Sequence, residues 1–64
     1  MSPSNPIRLV IVEDHELVRI GLRSLLDKID AIEVVAEATS ALVVARNVQE
    51  WNPDVVLMDI YLPA

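Results

Sequence analysis

The chain has 64 residues, with 10 acidic against 5 basic side chains and a formal net charge of −5 at pH 7. This negative charge repels nucleic-acid phosphates and anionic membrane surfaces, so the segment by itself is not expected to bind either. A hydrophobic fraction of 53 % and the absence of cysteine exclude a disordered tail and a disulfide-stapled scaffold.

Residues 1–6 are predicted to form a flexible N-terminal tail, because they hold two of the four prolines together with serine and asparagine. They lack the basic and apolar regions of a signal peptide. No apolar run approaches the roughly 18 residues that cross a bilayer. We therefore expect a cytoplasmic protein without membrane contact.

The first predicted strand is Ile7–Val12, which is β-branched and almost continuously apolar, as an interior parallel strand covered on both faces would be. An acidic turn, Glu13-Asp14, follows it, and Asp14 is the expected N-cap of a helix. Apolar residues then recur at the three-and-four spacing of an amphipathic helix, whose stripe should lie in the core. They are Val18, Leu22, Leu25 and Ile29.

The second predicted strand, Ile32–Ala38, alternates in polarity and should carry Glu33 and Glu37 together on one wetter face. Such a half-polar strand belongs at an edge of the sheet. A second helix is predicted over residues 41–50. Its candidate N-caps are Thr39 and Ser40, and Asn52-Pro53 should end it.

The third predicted strand, residues 54–58, is again continuously apolar and leads into Asp59. Strands and helices that alternate with short connections indicate parallel strands, here in the order 2-1-3 with one helix on each face. The third strand is apolar enough for an interior position, yet no further element of the chain can cover its far side. We therefore expect a truncated domain, or one half of an assembly.

Three carboxylates should converge where the strand order reverses, because ligands bind there, outside the carboxyl ends of parallel strands. Glu13 and Asp14 follow the first strand directly, and Asp59 follows the third. Oxygen-only donors, with no histidine or cysteine expected nearby, favour a hard cation, Mg²⁺ before Zn²⁺. A carboxylate beside such a cation can act as a nucleophile towards phosphorus, and Asp59 at its strand tip is the best candidate.

Three segments carry a resemblance to a known family: LVIVEDH at residues 9–15, LVRIGL at 17–22 and PDVVLMDIYLP at 53–63. Together they resemble the receiver domain of bacterial two-component response regulators. The first two are most similar to the NarL/FixJ-like subgroup, which carries a C-terminal LuxR-type helix-turn-helix. The implied fold is a truncated flavodoxin-like, or CheY-like, βαβαβ unit, with residues 7–64 as a partial receiver domain.

The resemblance also implies the roles of the site residues. Asp59 would accept phosphate from a phosphohistidine of a sensor histidine kinase. Asp14 and Asp59 would bind Mg²⁺ directly, Glu13 through water, and Tyr61 through its backbone carbonyl. The intact protein would regulate transcription through a C-terminal DNA-binding domain, as a phosphoacceptor module and not as an enzyme acting on a diffusible substrate.

One departure concerns the phosphoryl group. Receivers place a hydroxyl residue at the end of a fourth strand and a lysine at the end of a fifth, and neither strand is predicted here. Lys28, the one lysine, lies near the far end of the first helix and should not reach Asp59. We therefore expect phosphorylation of this segment to be weak or lost, although the intact protein should have it.

Other interpretations remain open. The chain could act as an assembly module that dimerises or exchanges segments through an exposed strand edge. A haloacid-dehalogenase-like phosphatase is disfavoured, because Tyr61 stands where that family has a second aspartate. His15 is interpreted as a surface residue of the first helical turn, since it has no partner histidine or cysteine. Arg19 and Arg23 fit a docking face or a solvated helix face equally well.

Overall fold

The computed structural model describes residues 5–59. The elements alternate between strand and helix: β1 Ile7–Val12, α1 Glu16–Leu26, β2 Ile32–Ala38, α2 Ala41–Trp51 and β3 Val55–Met58. β1 and β2 have the predicted bounds, and α2 and β3 each differ from theirs by one residue. α1 ends before Ile29, which the predicted apolar stripe had included. Residues 1–4 of the predicted tail and Tyr61 lie outside the described residues.

The sheet has three parallel strands in the order β2-β1-β3, which confirms the predicted topology. β1 lies in the centre, and its residues from Leu9 to Val12 are buried. α2 packs on the face that carries Val10 and Val12, where these side chains join Val44 in the core. α1 lies against the opposite face, so the molecule has one helix on each side of the sheet.

A β-bulge interrupts β2. Leu9 of β1 opposes Val34, whereas the next residue, Val10, opposes Ala36. Val35 is therefore an extra residue with no partner of its own across the ladder.

The bulge overturns the prediction that Glu33 and Glu37 share a face. Glu33 opposes Arg8 and Glu37 opposes Ile11. Because these partners are three residues apart in β1, their side chains point to opposite faces of the sheet. The extra residue thus directs Glu37 towards α1, a change of side that simple alternation cannot reveal.

α1 differs from the prediction in two ways. Its N-cap is His15, not Asp14, and no side chain caps the helix there. In addition, none of its residues is buried, and Val18 and Leu25 are 48 % and 63 % exposed. The apolar stripe is exposed because, among the described residues, α1 packs mainly against β1 and β2.

α2 begins and ends with recognisable caps. The Ser40 hydroxyl accepts a hydrogen bond from the Val43 N–H at 3.4 Å, so Ser40 is the N-cap of the two candidates. Asn52 ends the helix in the left-handed conformation, with φ 48° and ψ 57°. Asparagine tolerates this conformation better than most residues, which explains why the helix ends there.

Arg8 ties the end of α2 to the sheet. Its guanidinium donates hydrogen bonds to the carbonyl oxygens of Trp51 at 2.6 Å and Asn52 at 3.0 Å. A cation is favourable at this position because the last carbonyls of a helix carry its negative dipole end. The sequence pattern of β1 did not identify this contact.

β3 exposes apolar side chains. Within the described part of the chain it pairs with β1 along one edge, and Val55, Leu57 and Met58 are 41–45 % exposed. No helix among residues 5–59 has the length and apolar character required to span a bilayer.

Candidate metal centre

The carboxyl ends of β1 and β3 bring the predicted acidic residues together. Val12 and Met58 are partners in the ladder, and the Asp59 N–H donates to the Val12 carbonyl at 3.3 Å. Each of four side chains offers one ligand atom, and these atoms all lie within 4.8 Å of one another. They are Glu13, Asp14, His15 and Asp59.

Glu13 is the most constrained member of the cluster. It is 5 % exposed, although it is charged. Its N–H donates to the Ala38 carbonyl at 3.0 Å, and its own carbonyl accepts from the Arg19 guanidinium at 2.9 Å. β2 and α1 thus hold its backbone from two sides.

The Glu13 side chain turns back to the start of α1. Its Oε2 accepts the backbone N–H of His15 at 3.0 Å. This hydrogen bond, followed by the one from the His15 side chain, lowers the pKa of Glu13 below its ordinary value of 4.5. Glu13 is therefore a carboxylate at neutral pH.

His15 lies between two carboxylates. Its Nδ1 is 3.0 Å from Glu13 Oε2 and 3.0 Å from Asp14 Oδ1. The hydrogen bond to Glu13 and the negative charge of Asp14 raise its pKa above 6.5. The residue is exposed, as expected, but the prediction that no histidine lies near the acidic residues was wrong, because His15 directly follows Asp14 and its ring turns back to both carboxylates.

The donor set fits a hard divalent cation. Octahedral Mg²⁺ holds its oxygens at about 2.1 Å, which separates them by about 3 to 4 Å, close to the spread of this cluster. The Asp14 side chain is 39 % exposed, so an ion can reach the site from solvent. Three of the four donors are carboxylates, which such an ion prefers.

Two arginines of α1 meet one glutamate of β2 beside this site. Arg19 Nε lies 3.4 Å from Glu37 Oε1, and Arg23 Nη1 lies 2.7 Å from Glu37 Oε2. Both arginines therefore attach α1 to the sheet and do not simply face solvent. Sequence periodicity missed this arrangement because it depends on the bulge that turns Glu37 towards α1.

Lys28 lies apart from the acidic cluster. It follows the last turn of α1, where its N–H donates to the Leu25 carbonyl. The connection from α1 to β2 lies at the amino ends of the strands, whereas Asp59 lies at their carboxyl ends.

The chain matches proteins of known family. The model of the response regulator receiver domain matches residues 9–64. The response regulator GacA of Pseudomonas viridiflava is 44 % identical over 57 residues, which cover 89 % of this chain and 27 % of that protein. The transcriptional regulatory protein YhcZ of Bacillus subtilis is 46 % identical over 57 residues, with the same two coverages.

A solved structure shows the same fold. The isolated REC domain of RcsB from Salmonella enterica serovar Typhimurium superposes with a TM-score of 0.86 at 27 % identity. The match covers 94 % of this chain and 44 % of that one. This chain spans about a quarter of the length of the curated relatives named above. With its strand order, its acidic edge and these matches, the chain belongs to the response regulator receiver domain family.

Proposed function

We propose that this segment is the phosphoryl-accepting part of a two-component response regulator and that Asp59 receives the phosphoryl group. The observation that carries the proposal is the position of Asp59. It follows the tip of β3, and its carboxylate lies within 4.8 Å of the ligand atoms of Glu13 and Asp14. A nucleophile beside two further carboxylates suits a reaction in which a cation must be held next to phosphorus.

The cation proposed for this site is Mg²⁺. Asp14 and Asp59 would bind it directly and Glu13 through water, while the Tyr61 carbonyl, outside the described residues, would add a further ligand. When bound, the ion offsets negative charge on the phosphoryl oxygens.

The chemical step uses the Asp59 carboxylate as nucleophile. One oxygen forms a bond to phosphorus as the bond from phosphorus to the donor histidine nitrogen breaks. The product is an aspartyl phosphate, and the leaving imidazole takes up a proton. The hydrogen-bonded backbone of Glu13 holds the turn that carries the Glu13 and Asp14 carboxylates.

The proposed partners follow from the family. The phosphoryl donor would be a sensor histidine kinase in the cytoplasm. DNA would be bound by a separate C-terminal domain, because the net charge of −5 makes this segment a poor ligand for DNA. The RcsB structure bound to promoter DNA is an example of a relative with that activity.

The test compares two aspartates that flank the same strand. The chain would be incubated with phosphoramidate and Mg²⁺, and the intact mass would show whether one phosphoryl group is added. Labelling of the wild-type chain is expected to be slow, because Lys28, its one lysine, is too remote to contact a phosphoryl group on Asp59. Asp59→Asn should abolish it.

Asp54→Asn is the matched control. Asp54 precedes β3 and accepts the Arg8 N–H at 2.9 Å, at the opposite end of the strand from Asp59. This variant should be labelled like the wild type. Equal labelling of Asp59→Asn and the wild type would contradict the assignment, as would a wild-type chain that neither binds Mg²⁺ nor gains mass.

A second candidate function is self-association through β3. We propose it because exposed Val55, Leu57 and Met58 border a strand edge that pairs with nothing among the described residues. Such an edge is a template for an identical strand of a second copy. Light scattering across a concentration series should show a dimer, whereas a monomer at the highest concentration would rule out this candidate.

A further inference from the structure

Arg19 makes three contacts around the turn that carries the acidic cluster. Its backbone N–H donates to the His15 carbonyl at 2.9 Å, as the first turn of α1 requires. Its Nη1 donates to the Glu13 carbonyl at 2.9 Å, and its Nε lies 3.4 Å from Glu37 Oε1. The side chain is only 20 % exposed, so it is held in one place.

The Glu13 carbonyl is a significant acceptor because of the peptide to which it belongs. That peptide joins Glu13 to Asp14, so fixing its plane fixes the relative position of the two Cα atoms from which the carboxylates project. The Glu13 N–H is already bound to the Ala38 carbonyl. Arg19 supplies the second restraint, from α1, on the same residue.

Arg23 shares one partner with Arg19 but not the other. Its guanidinium also pairs with Glu37, at 2.7 Å. In the described part of the chain, its remaining side-chain contact is with Asp27 at 3.2 Å. The two arginines thus contribute alike to attaching α1 to β2, and only Arg19 touches the acidic turn.

We propose that Arg19 is a positioning residue for the cation site: its guanidinium holds the peptide between Glu13 and Asp14 against α1. This inference rests on the proposed function, since it concerns the same cation. The planar guanidinium reaches a carbonyl and a carboxylate from two different nitrogens, whereas lysine presents all its donors from one nitrogen. Residues that orient metal ligands in this way commonly change affinity by 10- to 100-fold when replaced.

The charge of Arg19 and its positioning of the turn have opposite effects on Mg²⁺ affinity, so a substitution can separate them. A positive side chain near the site repels a cation, so loss of charge alone would strengthen binding. Loss of positioning would weaken it. Arg19→Lys keeps the charge and removes the geometry, so it isolates the second effect.

The experiment measures Mg²⁺ affinity of the chain by calorimetry and follows the Asp14 amide by NMR. The Asp14 N–H belongs to the peptide whose carbonyl Arg19 binds, so its chemical shift reports that hydrogen bond. Arg19→Lys is expected to move this resonance and to weaken Mg²⁺ binding about tenfold. Arg23→Lys should change the Mg²⁺ affinity by less than about twofold and leave the Asp14 amide resonance unshifted.

Each outcome has a distinct meaning. Wild-type Mg²⁺ affinity in Arg19→Lys would overturn the inference. Equal losses of affinity in Arg19→Lys and Arg23→Lys would also overturn it, because both arginines would then act only by attaching α1 to the sheet. If the wild-type chain binds no Mg²⁺, the proposed function itself fails. Should Arg19→Lys not fold, Glu37→Gln replaces it, because it removes the charge that pairs Arg19 with β2 while leaving the Glu13 contact. That variant should retain affinity within about twofold, and a tenfold loss would overturn the inference.

Discussion

His15 approaches one oxygen of Glu13 with two groups at once: its backbone N–H and its Nδ1 both lie 3.0 Å from Glu13 Oε2. The arrangement raises the pKa of His15 and lowers that of Glu13. Because the two shifts have opposite signs, they stabilise the fold over a limited pH range.

The first prediction concerns that pH range. His15 contributes its full stabilisation below pH 6.5 and loses it as the pH rises through its raised pKa. Glu13 contributes above pH 4.5 and loses its stabilisation as the pH falls through its lowered pKa. The free energy of unfolding, measured in urea, should therefore be highest between pH 4.5 and pH 6.5.

His15→Gln is the control for this prediction. It should flatten the decline on the alkaline side, because the imidazole is gone. The acidic side should change less, since the backbone N–H still binds Glu13. A wild-type chain that gains stability steadily from pH 6.5 to 8 would contradict the assigned pair.

A second prediction concerns the core under the site. Ile11 is fully buried in β1, whereas Ile20 of α1 is 54 % exposed. Ile11→Val should cost about 1 kcal/mol, because it removes a buried methyl group and leaves a small cavity. Ile20→Val should change stability by less than about 0.5 kcal/mol. Equal effects, measured by urea unfolding, would show that the central strand is not packed as described.

A third prediction tests the N-cap of α2. Ser40→Ala removes the acceptor of the Val43 N–H and should cost about 0.5–1 kcal/mol, at the low end for caps because the bond is long. Ser24→Ala, inside α1 and exposed, should be neutral or slightly stabilising, since alanine has the higher helix propensity. Thermal unfolding of both variants checks the difference. A loss at Ser24 that equals the loss at Ser40 would contradict the cap.

A fourth prediction uses the left-handed residue at the end of α2. Asn52→Gly should leave stability nearly unchanged, because glycine adopts a φ of 48° without strain. Asn52→Ala should lower the free energy of unfolding by about 1 kcal/mol, because in the left-handed conformation the alanine Cβ lies too close to the following carbonyl oxygen. The Asn52 carbonyl that Arg8 binds is present in both variants, so their difference isolates the backbone effect. Alanine and glycine variants with the same melting temperature would argue against it.

The sequence was sufficient to predict the sheet order and the convergence of carboxylates. Continuous apolarity in β1 and alternation in β2 distinguish a central strand from an edge strand. Once the order is known, residues that follow the carboxyl ends of neighbouring parallel strands must lie close together. This reasoning placed Asp59 beside Glu13 and Asp14, as the structure does.

The contacts that support the site could not be predicted in the same way. Arg19 reaches the Glu13 carbonyl only because of how α1 is rotated on the sheet, and no periodicity records that rotation. The apolar stripe of α1 was expected to be buried, yet Val18 and Leu25 are exposed in this chain. Hydrophobic spacing identifies the face of a helix but not what covers it.

The extra residue in β2 bears on which length changes this segment tolerates. Removing Val35 would join Val34 directly to Ala36, and both would keep their present partners in β1. Glu37 would still face the two arginines, so a codon loss here would cost mainly the packing of one valine. Loss of Ala36 would be equivalent, because Val35 would then take its place opposite Val10, whereas a loss elsewhere in the strand would turn neighbouring side chains to the other face of the sheet. The bulge at Val35 and Ala36 is therefore the place in β2 that best tolerates the loss of one residue.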